Sequence, residues 1–316
     1  MIIKRIPKIS IVILNYRGKK ETIDCLQSLY YINRKGFKLK IILVDNKSDE
    51  SIEETIDHFR KQTREDPKTR DIDLKLIQNK DNLGFCGGNN VGIQEAIKAK
   101  SSFVFILNND TVVDRDIIVN LLKTSKKYKW EIIGPKIYFY PGNEFHFDRY
   151  KANERGKVVW YAGGKIDWNN ILFFHNGVDL VDLGQFNHHE ETDFVTGCAL
   201  FIKSEVLKKI GYFNHDYFLY LEDADLCQRA KIAGYKIGFA PKAVLWHKNA
   251  ASSGKPGSNL HVYYQTRNRL VFGMKYAKLR TKIALIKESL KMLFNSKMQR
   301  RGVLDFYLKR FGRGSL

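Results

Sequence analysis

Over the first 140 residues, short and continuously apolar runs alternate with segments whose apolar positions recur every three or four residues. "ISIVILNY", "LKIILVDN", "LKLIQN" and "SFVFIL" read as buried strands. "KKETIDCLQSLYYI", "SDESIEETIDHFRKQ" and a segment from about Asp114 read as helices, the second with Ser48 or Asp49 as its N-cap. Continuous apolar strands separated by helices predict a mostly parallel, doubly wound α/β sheet covered on both faces. Ligands of such sheets sit beyond the carboxyl ends of the strands. There the chain places Asn15, Asp45, Asn79 and the triplet Asn108, Asn109, Asp110. One Asn or Asp at such a place also serves a turn; their recurrence at successive strand ends points to a polar rim.

From about 141 to 200 the pattern loosens into aromatic and glycine-rich sequence, "WYAGGKIDWNNILFFHNG", which predicts an irregular or antiparallel insertion lining a groove. A helix with three early carboxylates follows, and "YKIGFAPKAVLWHK" reads as two short strands. Beyond about 272 the character changes again. Leu279, Ile283, Ile286, Leu290 and Leu293 keep helical spacing among Lys and Arg, a basic amphipathic helix that either packs on the preceding domain or rests on a membrane.

Charge sharpens this picture. Lys and Arg number 54 against 34 Asp and Glu, a net +20 that suits an anionic partner such as nucleic acid, an anionic leaflet or a phosphorylated small molecule. Cys25, Cys86, Cys198 and Cys227 are scattered without metal-ligand spacing, so a reducing, cytoplasmic setting is expected. The start, "MIIKRIPKISIVILNY", is a poor secretion signal, and no run approaches the length needed to cross a bilayer.

Three stretches carry candidate chemistry. "FILNND" brings Asp110 to the rim, either as an Asx turn or as a ligand for Mg²⁺ or Mn²⁺ beside two orienting Asn side chains. "DNLGFCGGNNVG" is a glycine-rich turn into a helix, where backbone N–H groups attract phosphate, although it matches no nucleotide fingerprint. In "LEDADL", Glu222, Asp223 and Asp225 open a helix whose dipole favours their charged forms. Asp223 shares a face with the apolar Leu226, Cys227 and Ala230, which makes it the better candidate to face a cleft as a base. His247, ending "VLWH", is a structural histidine or a neutral imidazole beside a metal or diphosphate.

Taken in order, "ISIVILNYRG", "IILVDNKSDES", "NKDNLGFCGGNNVGI", "FVFILNNDTVV", "FVTGCALFIKSEVLKKIGYFN" and "FLYLEDADLCQRAKIAGYKIGFAP" resemble the inverting family 2 glycosyltransferases, rhamnosyltransferase-like members above all, over about residues 8–272. The resemblance implies a GT-A fold, with a nucleotide-binding half at about 1–140, an acceptor-binding half at about 141–272 and a basic helical tail at 273–316. It implies a nucleoside-diphosphate sugar donor, dTDP-rhamnose or a UDP-hexose, bound with Mg²⁺ or Mn²⁺, and a glycan or lipid-linked acceptor. By motif, Asn15 and Asp45 would contact the nucleoside. Asn82, Gly84 and Asn89 would shape the nucleotide and diphosphate pocket, with Asn109 beside them. Arg267 and Asn268 would lie near the diphosphate. Asp110 matches the last residue of the family's DxD motif, here Asn-Asn-Asp, and His247 matches a metal-proximal histidine. Thr196 and Gly197 resemble the acceptor segment, Asp223 the base, and Glu222 its supporting neighbour; Asp225 is expected to be structural.

The implied reaction is a single displacement with inversion in cell-surface polysaccharide synthesis, at the inner face of the membrane to which the basic tail would hold the enzyme. A nucleotidyltransferase is the nearer rival, but "NYRGKK" is a weak substitute for its amino-terminal signature and leaves "LEDADL" unexplained. A nucleic-acid-binding protein is disfavoured because the basic residues are dispersed and form no recognisable module.

Overall fold

A computed structural model describes residues 6–67, 69, 72–249 and 257–316; the basic lead-in Met1 to Arg5 lies outside the described residues. The first half runs β1 (Lys8–Asn15), α1 (Lys19–Tyr30), β2 (Lys38–Asp45), α2 (Glu53–Glu65), β3 (Asp73–Gln78), α3 (Gly84–Lys98), β4 (Phe103–Asn108), β5 (Thr111–Val113), α4 (Ile117–Tyr128) and β6 (Ile132–Phe139). The second half runs β7 (Val159–Tyr161), β8 (Gly164–Asp167), β9 (Leu172–His175), β10 (Glu190–Glu191), β11 (Ala199–Lys203), α5 (Ser204–Ile210), α6 (Glu222–Ile232) and β12 (Ile237–His247). Three helices end the chain: α7 (Asn259–Tyr276), α8 (Leu279–Met292) and α9 (Lys297–Tyr307).

The main sheet has the order β10-β12-β6-β11-β4-β1-β2-β3, with β5 on β12 and β7 on β6. Neighbours from β4 to β3 are parallel, as are β6 and β12, whereas β11 runs antiparallel between β4 and β6. Strand alternation sorts the core. Ile9, Ile11 and Ile13 of β1 join Leu26, Phe59 and Ile118 from α1, α2 and α4 on one face. Val12 joins Ile93, Ala224 and Leu226 from α3 and α6 on the other. The sheet is therefore wound on both sides, and β1, β2 and β4 end together at Asn15, Asp45 and Asn108.

Several local expectations change. Neither Ser48 nor Asp49 caps α2, which starts after Ile52; Ser48 instead donates to Asp45 and accepts from the Arg17 N–H. The glycines of α3 largely serve packing: a Cβ on Gly92 would come within 2.3 Å of Val12, so glycine lets the helix lie close on the sheet. "YKIGFAPKAVLWHK" forms one irregular strand, β12, whose pairing with β6 shifts register between Ala240 and Val244. The boundary expected at 272 falls inside α7, because that helix packs against both α8 and α9.

Candidate active site

A cavity of about 430 Å³ opens at the carboxyl edge of β1 and β4, and two acidic groups stand on its wall. In the first, Asp110, just past β4, meets His247, the last residue of β12. His247 Nε2 lies 3.1 Å from Asp110 Oδ1, and both side chains are buried. Burial alone would lower the imidazole, but the Asp110 carboxylate, with Cys198 beside it, outweighs this and holds it well above the usual histidine range.

Glu222 and Asp223, in the first turn of α6, form the other group. Asp223 Oδ2 accepts the Gly197 N–H at 2.8 Å, and Oδ1 accepts the Ala224 N–H at 2.7 Å. Glu222 is only 4% exposed, and its Oε2 has no hydrogen-bond partner among the described residues. Dipole alone favours ionised carboxylates here, yet burial pushes both upward, and Asp223 pushes Glu222 well above the carboxylate range. The Gly197 and Ala224 N–H groups favour the charge on Asp223, whereas burial and the neighbouring Asp223 favour the protonated form of Glu222.

Asp225, in the same turn, points elsewhere. Burial would raise it, but Arg229 Nε at 2.7 Å, Lys275 Nζ at 2.9 Å and Tyr276 O–H at 2.7 Å hold it below the usual range. It ties α6 to α7 and does not line the cavity.

The remaining expected residues divide. Asn82, Gly84, Asn109, Thr196 and Gly197 line the cavity. Gly84 has φ +70°, and a Cβ there would meet the Phe218 ring within 2.5 Å, so the turn into α3 can only lie against Phe218 as glycine. Asn109 spends its amide on Gly18 O and Thr22 Oγ1, bracing the turn after β1. Asn15 and Asp45 bind each other at 2.8 Å and share Ser48, a brace beneath the rim outside the cavity lining. Asn89 is buried in α3, bonded to Phe85 O and also outside the lining.

Arg267 and Asn268 depart furthest from expectation. Both are fully buried and absent from the cavity wall, so the diphosphate contact expected of them is not what they make. Arg267 Nη2 donates to Asp216 O and Tyr217 O. Asn268 Nδ2 lies 2.8 to 3.0 Å from Tyr217 O, Leu219 O and Tyr220 O. They clasp the loop that delivers Glu222 and Asp223, in which Phe218, Tyr220 and Leu221 all take positive φ, between 61° and 69°. Such backbone costs about 1–3 kcal/mol per residue and persists only where its surroundings impose it.

Other contributors went unread in the sequence. Asn46 lines the cavity and joins three segments, accepting from Asn79 and the Leu83 N–H and donating to Asn82. It directly follows Asp45 in "VDN", so the strand-end signal extended one residue further than it was read. His175 of β9 also lines the cavity, and burial lowers it to about 4, which keeps it neutral.

Among the described residues, no three His, Cys, Asp or Glu side chains are grouped to hold a metal ion by themselves. Asp110 and His247 still bring a carboxylate and an imidazole to one wall, and His247 Nδ1 is buried without a hydrogen-bond partner among the described residues. They fit an ion that completes its shell from a bound anionic ligand.

A family model described as "Glycosyltransferase like family 2" matches residues 7–273. A low-salt glycan biosynthesis hexosyltransferase, Agl10 of Haloferax volcanii, is 24% identical over 83% of this chain and 74% of its own length. An N-acetylglucosaminyl-diphospho-decaprenol L-rhamnosyltransferase of Mycobacterium tuberculosis is 31% identical over 23% of this chain and 24% of its own length, so the chain spans about a quarter of that relative. The solved mannosyltransferase PcManGT of Pyrobaculum calidifontis, in complex with GDP-Man and Mn²⁺, superposes with a TM-score of 0.56 at 15% identity, over 99% of this chain and 77% of the other. That likeness is one of fold, the GT-A arrangement of a mixed α/β sheet.

Proposed function

The chain belongs to Glycosyltransferase like family 2, and from that premise we propose that it moves a sugar from a nucleoside-diphosphate sugar to a hydroxyl of a glycan or lipid-linked acceptor. The observation that carries this reading is Asp223, an N–H-supported carboxylate on a cavity wall that also carries Glu222 and the Asp110–His247 pair.

Asp223 takes the proton of the acceptor hydroxyl while that oxygen bonds to the anomeric carbon and the bond from that carbon to the diphosphate breaks, inverting the centre. The Gly197 and Ala224 N–H groups aim the carboxylate and favour its charged form beforehand. Glu222, keeping its proton, adds no second negative charge beside the base. Asp110 and His247 would hold Mg²⁺ or Mn²⁺, which supplies positive charge to the departing diphosphate. Asn82 and Gly84 would serve the donor, and Thr196 and Gly197 the acceptor, in the cavity whose wall all four share. The family resemblance gives dTDP-rhamnose and UDP-hexoses as donors to try, and the mannosyltransferase bound to GDP-Man adds GDP-mannose.

The test is Asp223→Asn, which keeps the size and loses the base. Nucleotide release in the presence of acceptor should fall by about 10²–10⁴-fold, while donor binding by calorimetry stays near wild type. Turnover within a few fold of wild type would remove Asp223 as the base.

A further inference from the structure

The tail helix α8 lays its less apolar face on the domain and leaves its more apolar face uncovered. Thr281, Leu285 and Ser289 are buried, with Leu285 among the core residues under α3 and α6. Leu279, Ile283, Ile286 and Leu290 stand 38% to 74% exposed, and Phe294 beyond the helix end is 90% exposed. At roughly 100° per residue those four helical positions fall within about 60° of arc, and Arg280, Lys287 and Lys291 line one border. None of these three cations pairs with an acid among the described residues. The single acid of α8, Glu288, is turned to the domain and held at 2.8 Å by both Nη atoms of Arg269. Asp305 of α9 is likewise buried, against Tyr263 and Ser315. The last 44 residues carry twelve Lys and Arg against only these two acids, half of the chain's net charge of +20.

The domain-facing side of α8 meets the hairpin of β8 and β9. Thr281 Oγ1 donates to Trp168 O at the hairpin tip, where Trp168, Leu172 and Phe174 are exposed. Leu172 and Phe174 alternate with Phe173 and His175, which line the cavity. One two-stranded ribbon therefore has the cavity on one side and the exposed apolar patch on the other.

We infer that this exposed side of α8 docks on an anionic lipid bilayer, with the Leu279-to-Leu290 stripe entering the headgroup boundary and the basic border meeting lipid phosphates and carboxylates. A second copy of the chain is the poorer occupant, since two such faces would bring two uncompensated basic borders together. No described helix is long and apolar enough to cross a membrane. If the acceptor is lipid-linked, a point that rests on the proposed function, α8 and the ribbon it touches are what separate the cavity from the leaflet that carries it.

The experiment is co-sedimentation of the full chain with phosphatidylcholine vesicles, with and without phosphatidylserine, over a salt series. Binding should be at least about tenfold tighter with phosphatidylserine and weaken steeply with salt. Ile283→Asn combined with Ile286→Asn should abolish it, and replacing Arg280, Lys287 and Lys291 by Gln should flatten the salt dependence. Both positions are exposed, so thermal melts and donor binding should match wild type. Equal binding to neutral and anionic vesicles, or binding that survives the double Asn change, would overturn the inference. So would a dimer in solution that the double change dissociates while vesicles never bind. Because the readout is sedimentation, an inactive but vesicle-bound protein would count against the proposed reaction alone.

Discussion

The two acidic groups on the cavity wall manage charge in opposite ways. Asp110 faces the His247 imidazole at 3.1 Å and favours its cationic form. Among the described residues, Asp223 is hydrogen-bonded by backbone N–H groups alone, and an oxygen of its neighbour Glu222 is buried without a partner. A carboxylate beside a titratable cation can exchange that cation for another positive charge, and so suits an ion with its anionic ligand. A carboxylate steadied by neutral dipoles and flanked by a protonated acid suits proton transfer. Asp225 gives the contrast from within the same helical turn: Arg229 and Lys275 saturate it, and it is left with structure alone.

Loss of Asp110 should separate the two groups most clearly. Asp110→Asn is expected to raise the Mn²⁺ concentration needed for nucleotide-sugar binding by about tenfold or more, with activity partly restored at high Mn²⁺. Asp223→Asn should gain nothing from added metal. A titration of donor binding against Mn²⁺ in both variants checks this, and restoration of Asp223→Asn by metal would erase the distinction.

The next effect comes from the clasp behind the base. Asn268→Ala strands three loop carbonyls that share one amide, so we expect a stability loss of about 2–3 kcal/mol in urea unfolding. Letting the loop relax should also displace Asp223, costing about 10–100-fold in turnover with donor affinity little changed. A fall in donor affinity with turnover preserved would return Asn268 to the donor site, where its motif had put it.

That displacement shows what a sequence can and cannot disclose. The strand-end rim was legible because parallel strands of one sheet necessarily finish at one edge, so Asn15, Asp45 and Asp110 had to be neighbours. What each then does depends on partners dozens of residues away. The Asn15–Asp45 bond and the Ser48 bridge turn two candidate ligands into a brace, and no spacing rule encodes that. Arg267 and Asn268 were misplaced for the same reason: a conspicuous Arg-Asn pair looks like an anion contact until the carbonyls of residues 216–220 are seen to consume it. Helical period in the tail was plain, yet period does not say which face is covered. The stripe from Leu279 to Leu290 points out, while Thr281, Leu285 and Ser289, less apolar on average, point in.

The smallest expected effect on turnover is the most discriminating test of the dyad. If Glu222 already holds its proton, Glu222→Gln replaces one neutral hydrogen-bonding group by another, and turnover at neutral pH should fall no more than a few fold, against the large loss in Asp223→Asn. Stability supplies an independent reading. Glu222 is raised in the folded state, so between the ordinary carboxylate value and its raised one the folded chain keeps a proton that the unfolded chain has released. Stability must therefore fall as pH rises through that window, and the contribution lost is present only below it. Glu222→Gln removes the titrating group, so urea unfolding from pH 5 to 8 should show a flatter profile, with the variant about 1–2 kcal/mol more stable than wild type at the alkaline end. A variant as inactive as Asp223→Asn, with wild-type pH dependence of stability, would exchange the roles of the two carboxyls and make Glu222 the base.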